Sequence, residues 1–184
     1  MRLVILDRDG VINRDSPDYI KSPAEWVPLP GSLEAIARLN RAGWCVAVAT
    51  NQSGLARGLF DLPTLRAIHR RMEEALVPLG GRIDGIFYCP HGPDEGCDCR
   101  KPLPGLFERI GRAFSVPLAG VPAVGDSPRD LQAAAAAGCT PILVRTGNGL
   151  KALAEGQVPA GTLVFADLAE VVEHLLTETD QAHD

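Results

Sequence analysis

Six short runs, most of them continuously apolar, alternate with amphipathic segments along the chain, and this alternation restricts the fold more than any other feature. The runs are Arg2 to Leu6, Trp44 to Ala49, Gly85 to Tyr88, Pro122 to Val124, Pro141 to Val144 and Leu163 to Phe165. Runs apolar at every position, rather than at alternate ones, suit strands buried on both faces of a parallel sheet. Between them, Leu33, Ile36 and Leu39 share one helical face, with Ser32 as expected cap and Gly43 as stop. Leu65, Ile68, Met72, Leu76 and Leu79 form a longer stripe behind a cap at Asp61, and Leu106, Ile110 and Phe114 form another. Ser127 opens an Ala-rich helix that stops at Gly138, and a last helix starting at Asp167 carries Leu168, Val171, Val172 and Leu175. The expected fold is α/β, a doubly wound and mainly parallel sheet. One domain over residues 1–177 is expected, with a polar, frayed tail over 178–184.

With 184 residues, the chain can bury a sizeable core. A net charge of −5 argues against a nucleic-acid or anionic-membrane partner. No apolar run has the length of a membrane span, and no signal peptide is visible, so the expected location is the cytoplasm. A monomer is expected.

The chemistry gathers at the strand ends, where open α/β sheets bind ligands. The first strand runs directly into Asp7-Arg8-Asp9-Gly10. Side chains at i and i+2 leave a strand on the same face, so two carboxylates can address one ligand. The second strand ends in Thr50-Asn51-Gln52-Ser53-Gly54, which offers a hydroxyl, amides and turn N–H groups to an anion. Arg100-Lys101-Pro102 places a lysine on a stiffened turn, suited to a phosphate. The fourth strand ends in Gly125-Asp126-Ser127-Pro128-Arg129-Asp130, where Asp130 can close a capping box with Ser127, support a metal site, or do both. Carboxylates at Asp7, Asp9 and Asp126 suit a hard cation with oxygen ligands, Mg²⁺ first. Neither a Walker A motif nor a dinucleotide-binding glycine fingerprint is present. The combination implies transfer of a phosphoryl group to a carboxylate.

Two irregular stretches, Asn13 to Pro30 and Cys89 to Pro104, exceed an ordinary loop and read as functional. The second contains Cys89-x-His91-x₅-Cys97-x-Cys99. Three thiolates and an imidazole fit a closed, structural Zn²⁺ site that would brace the segment carrying Arg100 and Lys101. Cys45 and Cys139 read as buried small apolar residues, and His69, His174 and His183 as solvated.

In their order along the chain, the Asp-x-Asp pair, Thr50-Asn51, Lys101 and Gly125-Asp126-Ser127 resemble the haloacid dehalogenase superfamily of phosphotransferases. Asp7-Arg8-Asp9-Gly10-Val11-Ile12-Asn13, Thr50 to Gly58, Tyr88-Cys89-Pro90-His91 and Cys97 to Pro102 narrow the likeness to its branch of heptose-bisphosphate and histidinol-phosphate phosphatases. It extends over residues 3–148. The resemblance implies Asp7 as nucleophile and Asp9 as the acid that later becomes a base. It implies Mg²⁺ on Asp7, the Asp9 carbonyl and Asp126, with Thr50 and Lys101 on the phosphoryl oxygens. It implies a phosphorylated sugar as substrate, in heptose supply for lipopolysaccharide core, with histidinol phosphate as the alternative. The family pattern often has lysine where this chain has Ser127. No stretch is long enough for a mobile cap domain, so the site should be open. The residues expected to face substrate are Asp15, Asp18, Tyr19, Asn51, Gln52, Ser53, Arg57 and Arg100. A reading from another class, a catalytically silent zinc-stapled binding module, would have been favoured by loss of Asp7 or Asp9, and both are present.

Overall fold

In a computed structural model, which describes residues 1–181, six parallel strands form one sheet. The elements are β1 (Arg2–Leu6), α1 (Ser32–Arg41), β2 (Trp44–Asn51), α2 (Leu62–Leu76), β3 (Gly85–Cys89), α3 (Gly105–Phe114), β4 (Pro122–Gly125), α4 (Pro128–Ala136), β5 (Thr140–Val144), α5 (Gly149–Ala154), β6 (Leu163–Phe165) and α6 (Leu168–Gln181). The spatial order is β3-β2-β1-β4-β5-β6.

The period-2 geometry of β1 explains the two cores. Val4 and Leu6 face a cluster with Ile36, Leu39, Ile68, Met72, Val171 and Val172, contributed by α1, α2 and α6. Leu3 and Ile5 face the other cluster, with Leu106, Phe107 and Ile110 of α3 and Ala133 and Ala134 of α4. Ile36 is fully shielded, and its truncation to alanine would cost about 2–5 kcal/mol. Cys139 is buried and Cys45 half-buried, both against the α3–α4 side.

All six expected strands form, and the doubly wound architecture is as anticipated. Three local expectations change. The cap of α1 is Gly31, because the Ser32 hydroxyl instead donates to the carbonyls of Ile12 (2.6 Å) and Leu29 (2.9 Å), tying the loop after β1 to the helix start. The short helix α5 was not anticipated. Its six residues carry too little periodicity to stand out in sequence. Finally, α6 continues to Gln181, past the expected end of helix near Thr177, while residues 182–184 lie outside the described residues.

The chain winds outward in opposite directions from β1 and β4, which are neighbours. Their carboxyl ends therefore border the crevice that an open α/β sheet leaves for ligands.

Candidate active site

Asp7 leaves the end of β1 and Asp126 the end of β4, at this crevice. Both line a cavity of about 330 Å³ together with Asp9, Thr50, Lys101 and Asp130. Tight backbone packing sets the depth of Asp126. Gly10 and Gly147 both have positive φ, and a Cβ at either would stand 2.1 Å from Asp126 Oδ2. That oxygen accepts from the backbone N–H of Asn148 (2.8 Å) and from its side chain (3.0 Å).

Lys101 is the buried cation of the site. Its Nζ lies 3.0 Å from Asp7 Oδ1 and 2.6 Å from Asp130 Oδ1, and donates to the Ala49 carbonyl at 2.8 Å. Asn51 clamps the Lys101 backbone on both sides, its Oδ1 accepting the N–H and its Nδ2 donating to the carbonyl (both 3.1 Å). Asp130 takes the capping role weighed from sequence and adds an ion pair with Lys101. Its Oδ2 accepts from the N–H (3.0 Å) and hydroxyl (2.7 Å) of Ser127, capping α4, while Oδ1 holds Lys101.

Burial pushes Asp7 up to about 7, partly offset by Lys101. Burial also pushes Asp126 up to about 8, reinforced by Asp130 and Asp7. Burial works to lower Lys101, but Asp130 and Asp7 outweigh it and hold the ammonium above its usual range. Burial likewise opposes the ionised Asp130, and Lys101 outweighs it. Two raised carboxylates in one pocket ask for a further positive charge. Among the described residues nothing hydrogen-bonds to Asp7 Oδ2 or Asp126 Oδ1. Ligand oxygens of Asp7, Asp126 and Asp130 lie within 4.8 Å of one another, so the site fits a hard divalent cation.

Asp9 is held from several sides. Arg8 donates to Oδ1 and Oδ2, Asn13 Nδ2 to Oδ1 (2.8 Å) and Gln52 Nε2 to Oδ2 (3.1 Å). Gln52 also donates to Thr50 Oγ1 (2.9 Å), linking the ends of β1 and β2.

The cysteine loop forms the second centre. Cys89 Sγ lies 3.7 Å from Cys97 Sγ and 3.6 Å from His91 Nδ1, and Cys99 Sγ lies 3.4 Å from the same nitrogen. An ideal zinc tetrahedron with Zn–S of about 2.3 Å and Zn–N of about 2.0–2.1 Å has edges of about 3.7 Å (S–S) and 3.6 Å (S–N). The four side chains thus stand at zinc-binding separations. Burial pushes the Cys89 thiol up to about 12. Burial opposes ionisation of Cys97 too, but the N–H groups of Arg100 and Cys99 draw it down to about 7.

A family model described as HAD-hydrolase-like matches residues 98–171. Over 97% of this chain and 99% of its own length, the D-glycero-beta-D-manno-heptose-1,7-bisphosphate 7-phosphatase of Bordetella bronchiseptica is 66% identical. The Pseudomonas aeruginosa protein of the same name is 58% identical over 95% of this chain and 97% of its own. The chain belongs to this family of HAD-like phosphatases. Among solved structures, the B. bronchiseptica D,D-heptose 1,7-bisphosphate phosphatase complexed with magnesium and phosphate is similar at a TM-score of 0.95. It is 66% identical, with 97% of this chain and 99% of that one covered. The Burkholderia thailandensis enzyme follows at a TM-score of 0.77 and 49% identity, covering 96% and 99%.

In this HAD-like phosphatase, Asp15, Tyr19, Asn51, Gln52, Ser53, Arg57 and Arg100, expected to face substrate, line the cavity. Arg57 stands 6.0 Å over the Tyr19 ring, and Arg100 Nη1 donates to the His91 carbonyl at 3.2 Å. Asp18 does not reach the cavity. The loop turns its side chain outward, to a shallow depression shared with Lys21 and Glu25. His69, expected in solvent, is buried on α2, with Nε2 3.3 Å from Arg8 Nη1. Burial and the Arg8 charge push it down to about 3, so it is neutral. His174 is half-buried, its ring 5.0 Å from Phe165, and His183 lies outside the described residues. Sequence reasoning missed Asn148 and Arg129, which also line the cavity. Asn148 follows the end of β5, and that position was the available signal.

Proposed function

We propose that this protein hydrolyses the 7-phosphate of D-glycero-β-D-manno-heptose 1,7-bisphosphate through an aspartyl-phosphate on Asp7, in heptose supply for lipopolysaccharide. One relationship carries the reading. A buried ammonium joins Asp7 Oδ1 and leaves Asp7 Oδ2 without a hydrogen bond, in a cavity large enough for a sugar phosphate. Asp7 attacks phosphorus while the bond from phosphorus to the C7 oxygen breaks. Asp9 protonates that leaving oxygen. Asp9 then takes a proton from the water that attacks the aspartyl-phosphate, which releases inorganic phosphate and restores Asp7. Thr50 and Lys101 neutralise the equatorial oxygens. Mg²⁺, held by Asp7, Asp126 and the Asp9 carbonyl, would add positive charge against the developing anion. Zn²⁺ on Cys89, His91, Cys97 and Cys99 would keep the Lys101 turn in register.

The Bordetella and Pseudomonas relatives, named for this substrate and its β anomer, support the choice. No described helix is long and apolar enough to cross a membrane. We read the protein as a cytoplasmic monomer. Phosphate release from both heptose bisphosphate anomers and from histidinol phosphate, compared side by side with Mg²⁺, tests the assignment. The β anomer should give the highest kcat/KM. A higher value for histidinol phosphate would overturn the substrate while leaving the nucleophile in place.

A further inference from the structure

Thr50 is the last residue but one of β2, and Gln52 follows the strand's end. Side chains two positions apart leave a strand on the same face, and these two meet. Gln52 Nε2 donates to Thr50 Oγ1 at 2.9 Å and to Asp9 Oδ2 at 3.1 Å. Both residues are buried, and the Gln52 backbone N–H is pinned to the Cys89 carbonyl at 2.8 Å. An amide nitrogen has two protons and no acceptor, so both of its partners must accept. The resting site allows the amide one sense only. Arg8 donates to both Asp9 oxygens and Asn13 to Oδ1, so Asp9 faces Gln52 as an acceptor. Turning the amide over would set Oε1 against that carboxylate. Thr50 is therefore an acceptor towards Gln52, and its own proton is left over. Among the described residues that hydroxyl donates to no protein group, and Thr50 lines the cavity.

Building on the phosphatase reading above, we propose that Gln52 is a positioning residue. By filling the acceptor side of Thr50, it aims the hydroxyl proton into the cavity, where a phosphoryl oxygen takes it. A donor whose direction is set before the ligand arrives needs no reorganisation when charge develops on that oxygen. Both Gln52 protons are spent within the protein, so Gln52 acts on the phosphoryl group through Thr50. One amide thus couples the acid/base carboxylate to the phosphoryl-binding hydroxyl.

The test is a double-mutant cycle, read as Ki for inorganic phosphate against p-nitrophenyl phosphate turnover with Mg²⁺ present. Ki separates phosphate binding from the acid/base step, which a Gln52 variant also disturbs through Asp9. Gln52→Met keeps the volume and removes both donors, and it should raise Ki about tenfold. Gln52→Glu offers Thr50 an acceptor in place of the donor and should raise Ki at least as much. Thr50→Val should raise Ki about thirtyfold, and adding Gln52→Met to it should change Ki by less than about twofold, because no hydroxyl is left to aim. Either Gln52 variant, checked for an unchanged melting profile, closes the cycle. Effects that multiply in the double variant, or a Ki within about threefold of the parent in Gln52→Met, overturn the Gln52 assignment alone. An unchanged Ki in Thr50→Val removes Thr50 from the phosphate site and this proposal with it. If the parent enzyme does not turn over the aryl phosphate, the phosphatase reading itself falls.

Discussion

Arg8, entirely shielded from solvent, grips Asp9 with two parallel hydrogen bonds, Nε to Oδ1 at 3.0 Å and Nη2 to Oδ2 at 2.9 Å. Its remaining arm reaches His69 Nε2. Because arginine stays protonated, that nitrogen must accept, so His69 carries its proton on Nδ1. The proposed acid/base carboxylate is therefore oriented from within the protein and not by solvent. Arg8→Ala should lose about 3 kcal/mol of stability, the low end for breaking a buried pair, since the Asp9 side chain keeps 22% of its exposure. Arg8→Met, which refills the volume, should recover much of that stability but not the turnover. Full kcat in Arg8→Met would reduce Arg8 to packing.

Asp7→Asn keeps the shape and removes the nucleophile. We expect turnover to fall by at least about a thousandfold, with a folded protein by circular dichroism and thermal melting. Activity within tenfold of the parent would rule out the aspartyl-phosphate route.

Metal and pH are linked through Asp7 and Asp126. Both are raised in the folded protein, to about 7 and about 8, above an ordinary 3.8. Between these limits the folded state binds more protons than the unfolded one, so their contribution to stability is complete below about pH 4 and is lost as pH rises to 8. Asp130 is lowered and works the other way, but only at more acidic pH. Protein freed of Mg²⁺ with zinc retained should therefore melt at falling temperature from pH 5.5 to 8.5. Added Mg²⁺ should raise the melting temperature more at pH 8 than at pH 5.5. A Mg²⁺ effect independent of pH would contradict the assignment of these carboxylates as its ligands.

Metal analysis should find about one zinc per chain, retained when Mg²⁺ is exchanged. Cys97→Ala should lose it and lower the melting temperature by at least about 5 °C. It should also weaken inhibition by inorganic phosphate, since Arg100 and Lys101 follow Cys99 directly in the chain. Unchanged zinc content and melting temperature in this variant would show that the four side chains do not form a metal centre.

What the sequence determined by itself was whatever depends on chain neighbours. Apolar runs set the strands, and a residue one position past a strand end must lie at the sheet's carboxyl edge, which located Asp7 and Asp126. Thr50 is the last residue but one of β2, so the same edge was legible. The cysteine spacing likewise named its own four members. Tertiary structure decided what depends on which surface a side chain meets. His69 sits on a helix whose polar positions read as solvated, yet the buried Arg8 guanidinium needs an acceptor, and α2 packs the imidazole 3.3 Å from it. Ser32 gave up its cap because two loop carbonyls needed a donor. Asp18 and Tyr19 are adjacent, but the loop's path sends only Tyr19 into the cavity. Asp130 could serve α4 and Lys101 at once only because its two oxygens face different partners, a division made by the approach of a turn that lies 29 positions earlier in the chain, from Lys101 to Asp130.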